Sequence, residues 1–118
     1  MLKTQNPKQY DLEERTLEFA KRVRNFVQKL NKNIRNMEDG KQLIRSSGSV
    51  GANYIEANES LSKKDFVMRI KICRKEAKET EYWLKLISAD SSETERMNLI
   101  RESTELRKIF GAILEKSK

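Results

Sequence analysis

The 118-residue chain carries 25 Lys and Arg against 18 Asp and Glu, a net charge of +7, and no histidine. The missing histidine excludes the Ser-His-Asp and Cys-His nucleophilic arrangements and the Glu-x-x-His ligands of a di-iron bundle. A single cysteine, Cys73, excludes an internal disulfide, and one proline with four glycines in a chain that is 36% charged points to an all-α domain.

Residues 1–10 read as a polar lead-in and residues 11–118 as one helical domain. No amino-terminal apolar run resembles a signal peptide, and none approaches the ~20 residues that span a bilayer. The expectation is a cytoplasmic protein with no membrane partner. The basic excess suits an anionic partner, nucleic acid being the commonest, and it equally suits simple solubility.

The first predicted helix opens at Asp11 as N-cap, with Glu14 three residues on. Leu12, Thr16, Phe19, Val23, Phe26, Leu30 and Ile34 recur at helical spacing, and Lys21, Arg22, Arg24 and Lys29 fall on the opposite face. A break is expected around Asn31 to Gly40. The second helix then starts near Asn36 or Met37, with Asp39 placed to cap it, and runs to about Glu59.

That second helix is the centre of the pattern. Ser46 through Ile55 carries no charge in a chain otherwise rich in it. Leu43, Ser47, Val50, Tyr54, Ala57 and Leu61 make one stripe, and Ile44, Gly48, Gly51 and Ile55 make the next. Glycine inside a helix costs about 1 kcal/mol relative to alanine, so Gly48 and Gly51 predict close approach of another backbone. Gly51→Leu is therefore expected to disrupt the bundle or an oligomer. A further stripe, Ser46, Ser49, Asn53, Glu56 and Ser60, reads as a solvent face, a buried polar network or the line where a second subunit docks. A buried Glu56 would need Arg45 or Arg74 as partner.

The third helix opens at Ser62 with Asp65. Phe66, Ile70, Cys73, Ala77, Thr80, Leu84 and Ile87 form a heptad seam, with Val67, Met68, Trp83 and Leu86 off it. Cys73 lies in that seam and reads as a buried structural thiol in preference to a nucleophile. Lys63, Lys64, Arg69, Lys71, Arg74, Lys75 and Lys78 are the second basic group; with Lys21, Arg22, Arg24 and Lys29 they are the candidate phosphate-binding residues, against the alternative of a mixed charged surface interleaved with Glu76, Glu79 and Glu81. The fourth helix follows a capping-box spacing at Ser92 and Glu95, with Leu99, Ser103, Leu106, Phe110 and Ile113 as its seam, widened by Ile100, Ile109 and Leu114. Short connections between four such helices predict an antiparallel up-down-up-down four-helix bundle. Glu56, Glu59, Glu76 and Glu79 are the available carboxylates, but without histidine no metal is expected, and no other cofactor is indicated.

The runs Ile44-Arg-Ser-Ser-Gly-Ser-Val-Gly-Ala-Asn-Tyr-Ile-Glu56, Ser62-Lys-Lys-Asp-Phe66 and Cys73-Arg-Lys-Glu-Ala-Lys-Glu-Thr-Glu-Tyr-Trp-Leu84 resemble a bacterial four-helix-bundle family. The family is named after a protein encoded in intervening sequences of 23S ribosomal RNA genes, and is structurally similar to the accessory variability determinant of diversity-generating retroelements. The matching positions are Ser49, Asn53 and Glu56, then Ser62, Lys64 and Phe66; Gly51 stands where many members have proline. The resemblance implies a homopentamer without enzymatic activity. For the retroelement relative it implies binding to nucleic acid and to a reverse transcriptase. Gly48, Ser49, Gly51, Asn53, Tyr54, Glu56 and Trp83 are the expected interface or core motif. The functional expectation is an oligomeric nucleic-acid-binding protein, for RNA in the first instance, with a protein-binding scaffold as the alternative.

Overall fold

The computed structural model describes residues 7–118, with side chains from Asp11 onward. It is all-helical, with no strand among these residues. The four long helices are α1 (Pro7–Gln28), α2 (Ile34–Asn58), α3 (Lys63–Leu86) and α4 (Glu93–Lys116), with a 3-10 turn at Asp90–Ser92 before α4. Helices α1 and α2, α2 and α3, and α3 and α4 are neighbours, and α1 meets α4 to close the set, as in a four-helix bundle. No described helix is long and apolar enough to cross a membrane.

The apolar seams meet in one core. Phe19, Val23 and Phe26 of α1, Leu43, Val50 and Tyr54 of α2, Ile70, Cys73, Ala77 and Leu84 of α3, and Leu99, Leu106 and Phe110 of α4 are all buried. Each row steps by three, four or seven residues, so each helix presents one continuous face. Tyr54 and Phe110 pack with ring centroids 5.8 Å apart. On α4 the seam closes with buried Leu114 in place of half-buried Ile113.

The helix ends differ from expectation at several points. Helix α1 begins at Pro7, so Asp11 lies inside it and is not its cap; proline suits a first turn because its missing N–H would have no partner there. The first six residues of the expected lead-in lie outside the described residues. Helix α2 begins at Ile34, not near Asn36 or Met37: Asn33 is the N-cap, its Oδ1 accepting from the Asn36 amide at 2.9 Å. Asn36 Nδ2 donates back to the Asn31 carbonyl at 2.9 Å, which fixes this turn and leaves Asp39 inside the helix. Ile34 accordingly leaves the α1 stripe and is exposed, as is Leu61 beyond the end of α2.

At α3 the expected cap is present, with Ser62 Oγ accepting from the Asp65 amide at 3.1 Å. At α4 it is not: Ser92 makes no side-chain cap bond, and Glu95 reaches across to α1. The preceding Asp90 has φ of 30°, a left-handed conformation that Asp tolerates better than most side chains, and its carboxylate accepts from Asn31 Nδ2 at 3.0 Å. Arg96 Nη1 donates to the Leu84 carbonyl at 2.9 Å, satisfying one of the orphan acceptors at the end of α3.

Candidate basic groove between α3 and α4

The uncharged stretch of α2 divides between two neighbours. Gly51 faces α1: a Cβ there would stand 2.8 Å from Thr16 Oγ1, so the predicted close approach is within the chain. Gly40 does the same, with Val27 Cγ1 at 2.9 Å, whereas Gly48 meets only the tip of Arg24 at 3.8 Å. Toward α3, Thr80 Oγ1 lies 2.8 Å from Ser46 Oγ, both fully buried, and Cys73 Sγ donates to the Val50 carbonyl at 3.4 Å. Burial pushes the Cys73 thiol up to about 12, which makes it a poor nucleophile.

The polar stripe of α2 therefore has no single character. Ser46 is buried, Ser49 and Asn53 are half-buried and Glu56 is exposed. Asn53 bridges the helices: its Nδ2 donates to the Ser49 carbonyl at 2.9 Å and its Oδ1 accepts from Arg69 at 3.0 Å. The partner of Arg45 is not Glu56. Arg45 pairs with Glu79 at 2.6 Å and with Glu76 at 3.3 Å, and Glu76 is only 7% exposed. Burial raises the Glu79 carboxyl, but hydrogen bonds from Trp83 and Arg45 outweigh it and hold the group below the usual carboxylate range.

The candidate cations are also divided. Helices α1 and α3 are not neighbours, so Lys21, Arg22, Arg24 and Lys29 do not share a face with the α3 group. Arg22 is paired with Glu95 of α4 at 3.2 Å, and Arg24 leans on α2 beside Gly48. Arg15 is held by Glu102 at 2.7 Å. On α3, Arg69 turns toward α2, while Lys63, Lys64 and Lys71 flank Val67 and Met68 on the outer surface.

Lys71 and the remaining α3 cations converge with a group that sequence reasoning missed. Lys71, Arg74, Lys75 and Lys78 face Arg107, Lys108 and Gly111 of α4 across an open cleft of about 490 Å³. Every ionisable residue lining it is basic. Only Arg107 has an acidic partner, Glu81, at 3.4 Å; Lys71, Arg74, Lys75, Lys78 and Lys108 have none within 4 Å among the described residues. The side-chain-free Gly111 deepens the α4 wall, with Arg74 Cδ 3.9 Å from where its Cβ would be. The sequence signal was the Arg107-Lys108 pair off the α4 seam, which gains meaning only once α4 is known to lie beside the α3 lysines.

Such a cleft offers several N–H donors and a concentrated positive potential, suited to a polyanion with spaced phosphates. The described residues contain no cluster of three or more Cys, Asp or Glu side chains able to hold a metal ion.

A family model described as 23S rRNA-intervening sequence protein matches residues 8–112. Among solved structures, the chain is similar to a protein of unknown function from the S23 ribosomal protein family of Bacteroides thetaiotaomicron VPI-5482. That similarity is 33% identity and a TM-score of 0.73, over 86% of this chain and 96% of the other. No curated protein matches the chain.

Proposed function

The chain belongs to the 23S rRNA-intervening sequence protein family, and from that premise we propose that it is a non-enzymatic, oligomeric, cytoplasmic nucleic-acid-binding protein that takes RNA phosphates in the α3–α4 groove. The observation that carries the reading is the groove itself, six cations with no acid among its lining residues. Outside the groove four arginines, Arg15, Arg22, Arg45 and Arg96, are paired with carboxylates, and Arg69 is held by Asn53. A cluster left uncompensated repels itself and is relieved by an anionic ligand.

The proposal includes an antiparallel up-down-up-down arrangement. Its support is the order of cross-helix pairs: Gly40 with Val27 and Gly51 with Thr16; Ser46 with Thr80 and Asn53 with Arg69; Arg96 with Leu84 and Gly111 with Arg74. It also includes self-assembly as a homopentamer through the α2–α3 seam, where Ser49, Asn53 and Trp83 are half-buried and Glu56 is exposed. A ring would repeat the groove and gain avidity without new contacts.

The alternative is a scaffold for a nucleic-acid enzyme such as a reverse transcriptase, favoured by exposed Met68 and Leu86 on α3. The deciding experiment is RNA binding across a salt series, with light-scattering mass before and after nuclease and a high-salt wash. Log affinity should fall with log salt at about −0.7 per neutralised phosphate, and Lys71→Glu/Lys75→Glu/Lys78→Glu should abolish binding without lowering the melting temperature. Absence of binding at low salt refutes the reading and leaves the scaffold.

A further inference from the structure

Tyr82 continues the outward stripe of α3 that forms one wall of the groove. Seven residues are nearly two helical turns, so Tyr82 projects within roughly 20° of Lys75, and it lies about 6 Å along the axis from Lys78. From Lys71 to Tyr82 the stripe runs about 16 Å, the length of a few nucleotides.

A lone exposed tyrosine on a protein surface is ordinary. Tyr82 is distinguished by how it is held and by what adjoins it. Its residue is 58% exposed. The ring meets Trp83 edge-on, with centroids 5.1 Å apart and 75° between planes. Trp83 is itself fixed, its Nε1 donating to Glu79 Oε2 at 3.2 Å, and Arg45 holds that same oxygen at 2.6 Å. The aromatic surface is thus ordered before any ligand arrives, which lowers the entropy lost on binding. Beside it stand Lys75 and Lys78, cations without a carboxylate partner among the described residues.

A fixed aromatic face at the end of a cationic groove is what a single strand requires: phosphates on the cations, an unpaired base on the ring. A duplex has its base faces already covered and gains nothing from the ring. We infer that, if the phosphate-binding reading of the groove holds, its ligand is single-stranded nucleic acid, with Tyr82 as the stacking platform for a base whose adjoining phosphates rest on Lys75 and Lys78.

The test measures binding of the full chain to a labelled single-stranded RNA and to the duplex of the same sequence, each over a salt series. The unsubstituted protein should prefer the single strand. Tyr82→Ala should weaken single-strand binding roughly 5- to 150-fold, equivalent to about 1–3 kcal/mol, with its salt slope unchanged because no phosphate contact is lost. Tyr82→Phe should retain the affinity, and duplex binding should not respond to either substitution. Equal single-strand affinity of Tyr82→Ala and the original chain overturns the inference while leaving the groove intact. So does a change in the solution mass of Tyr82→Ala, which would place the ring in a subunit contact. No salt-dependent binding by the original chain defeats the groove reading itself, and this one with it.

Discussion

An alanine at position 51 would set its Cβ 2.8 Å from Thr16 Oγ1 and 3.1 Å from Thr16 Cβ. Thr16 has little room to yield. It is 1% exposed, and its hydroxyl donates within α1 to the Leu12 carbonyl at 2.9 Å. Rotating Thr16 away breaks that bond, worth about 1 kcal/mol net, and moving α1 instead brings the overpacking cost of about 1–3 kcal/mol. Helix propensity returns about 1 kcal/mol for replacing glycine. Gly51→Ala should therefore be destabilising by about 1 kcal/mol, and Gly51→Leu by several. Gly48→Ala should do the reverse. Its Cβ would meet only Arg24 Nη2 at 3.8 Å, an ordinary contact with a flexible tip, so the propensity gain of about 0.5–1 kcal/mol stands alone. The assay is urea denaturation at one fixed protein concentration, because assembly couples to apparent stability. Stabilisation by Gly51→Ala would refute the close-approach argument. Equal destabilisation at both positions would place Gly48 against a partner that the single chain does not contain.

Two further predictions concern buried groups of α3. Thr80→Val keeps the shape but strips the partner from Ser46 Oγ, whose remaining acceptor, the Leu43 carbonyl, is at 3.4 Å; the cost should be about 1–2 kcal/mol, and adding Ser46→Ala should recover most of it in a double-mutant cycle, since removing both polar partners is nearly neutral. The Cys73 thiol is raised from 9.0 to about 12 in the folded chain, so above pH 9 the unfolded state loses a proton that the native state keeps. Stability should fall as pH rises across that window, with a slope of up to about 1.4 kcal/mol per pH unit that disappears in Cys73→Ala. An identical pH slope in the two proteins between pH 9 and 11 would refute the buried-thiol argument.

The helical class, the four helices, and most of the seams follow from short-range spacing, because residues three and four apart share a face whatever the rest of the chain does. The Ser62 cap was legible for the same reason, its partner Asp65 being three residues away. The turn before α2 was not, since Asn31, Asn33 and Asn36 all qualify as cap residues and the choice rests on the bond from Asn36 Nδ2 to the Asn31 carbonyl. The candidate site needed the tertiary structure. Whether a lysine or arginine is free depends on carboxylates far away in sequence: Arg15 is matched by Glu102 and Arg22 by Glu95, whereas Lys71, Lys75 and Lys78 meet Lys108 across a cleft. Periodicity states which face a residue occupies on its own helix, and the register between helices, set by packing such as Gly51 against Thr16, decides what that face meets.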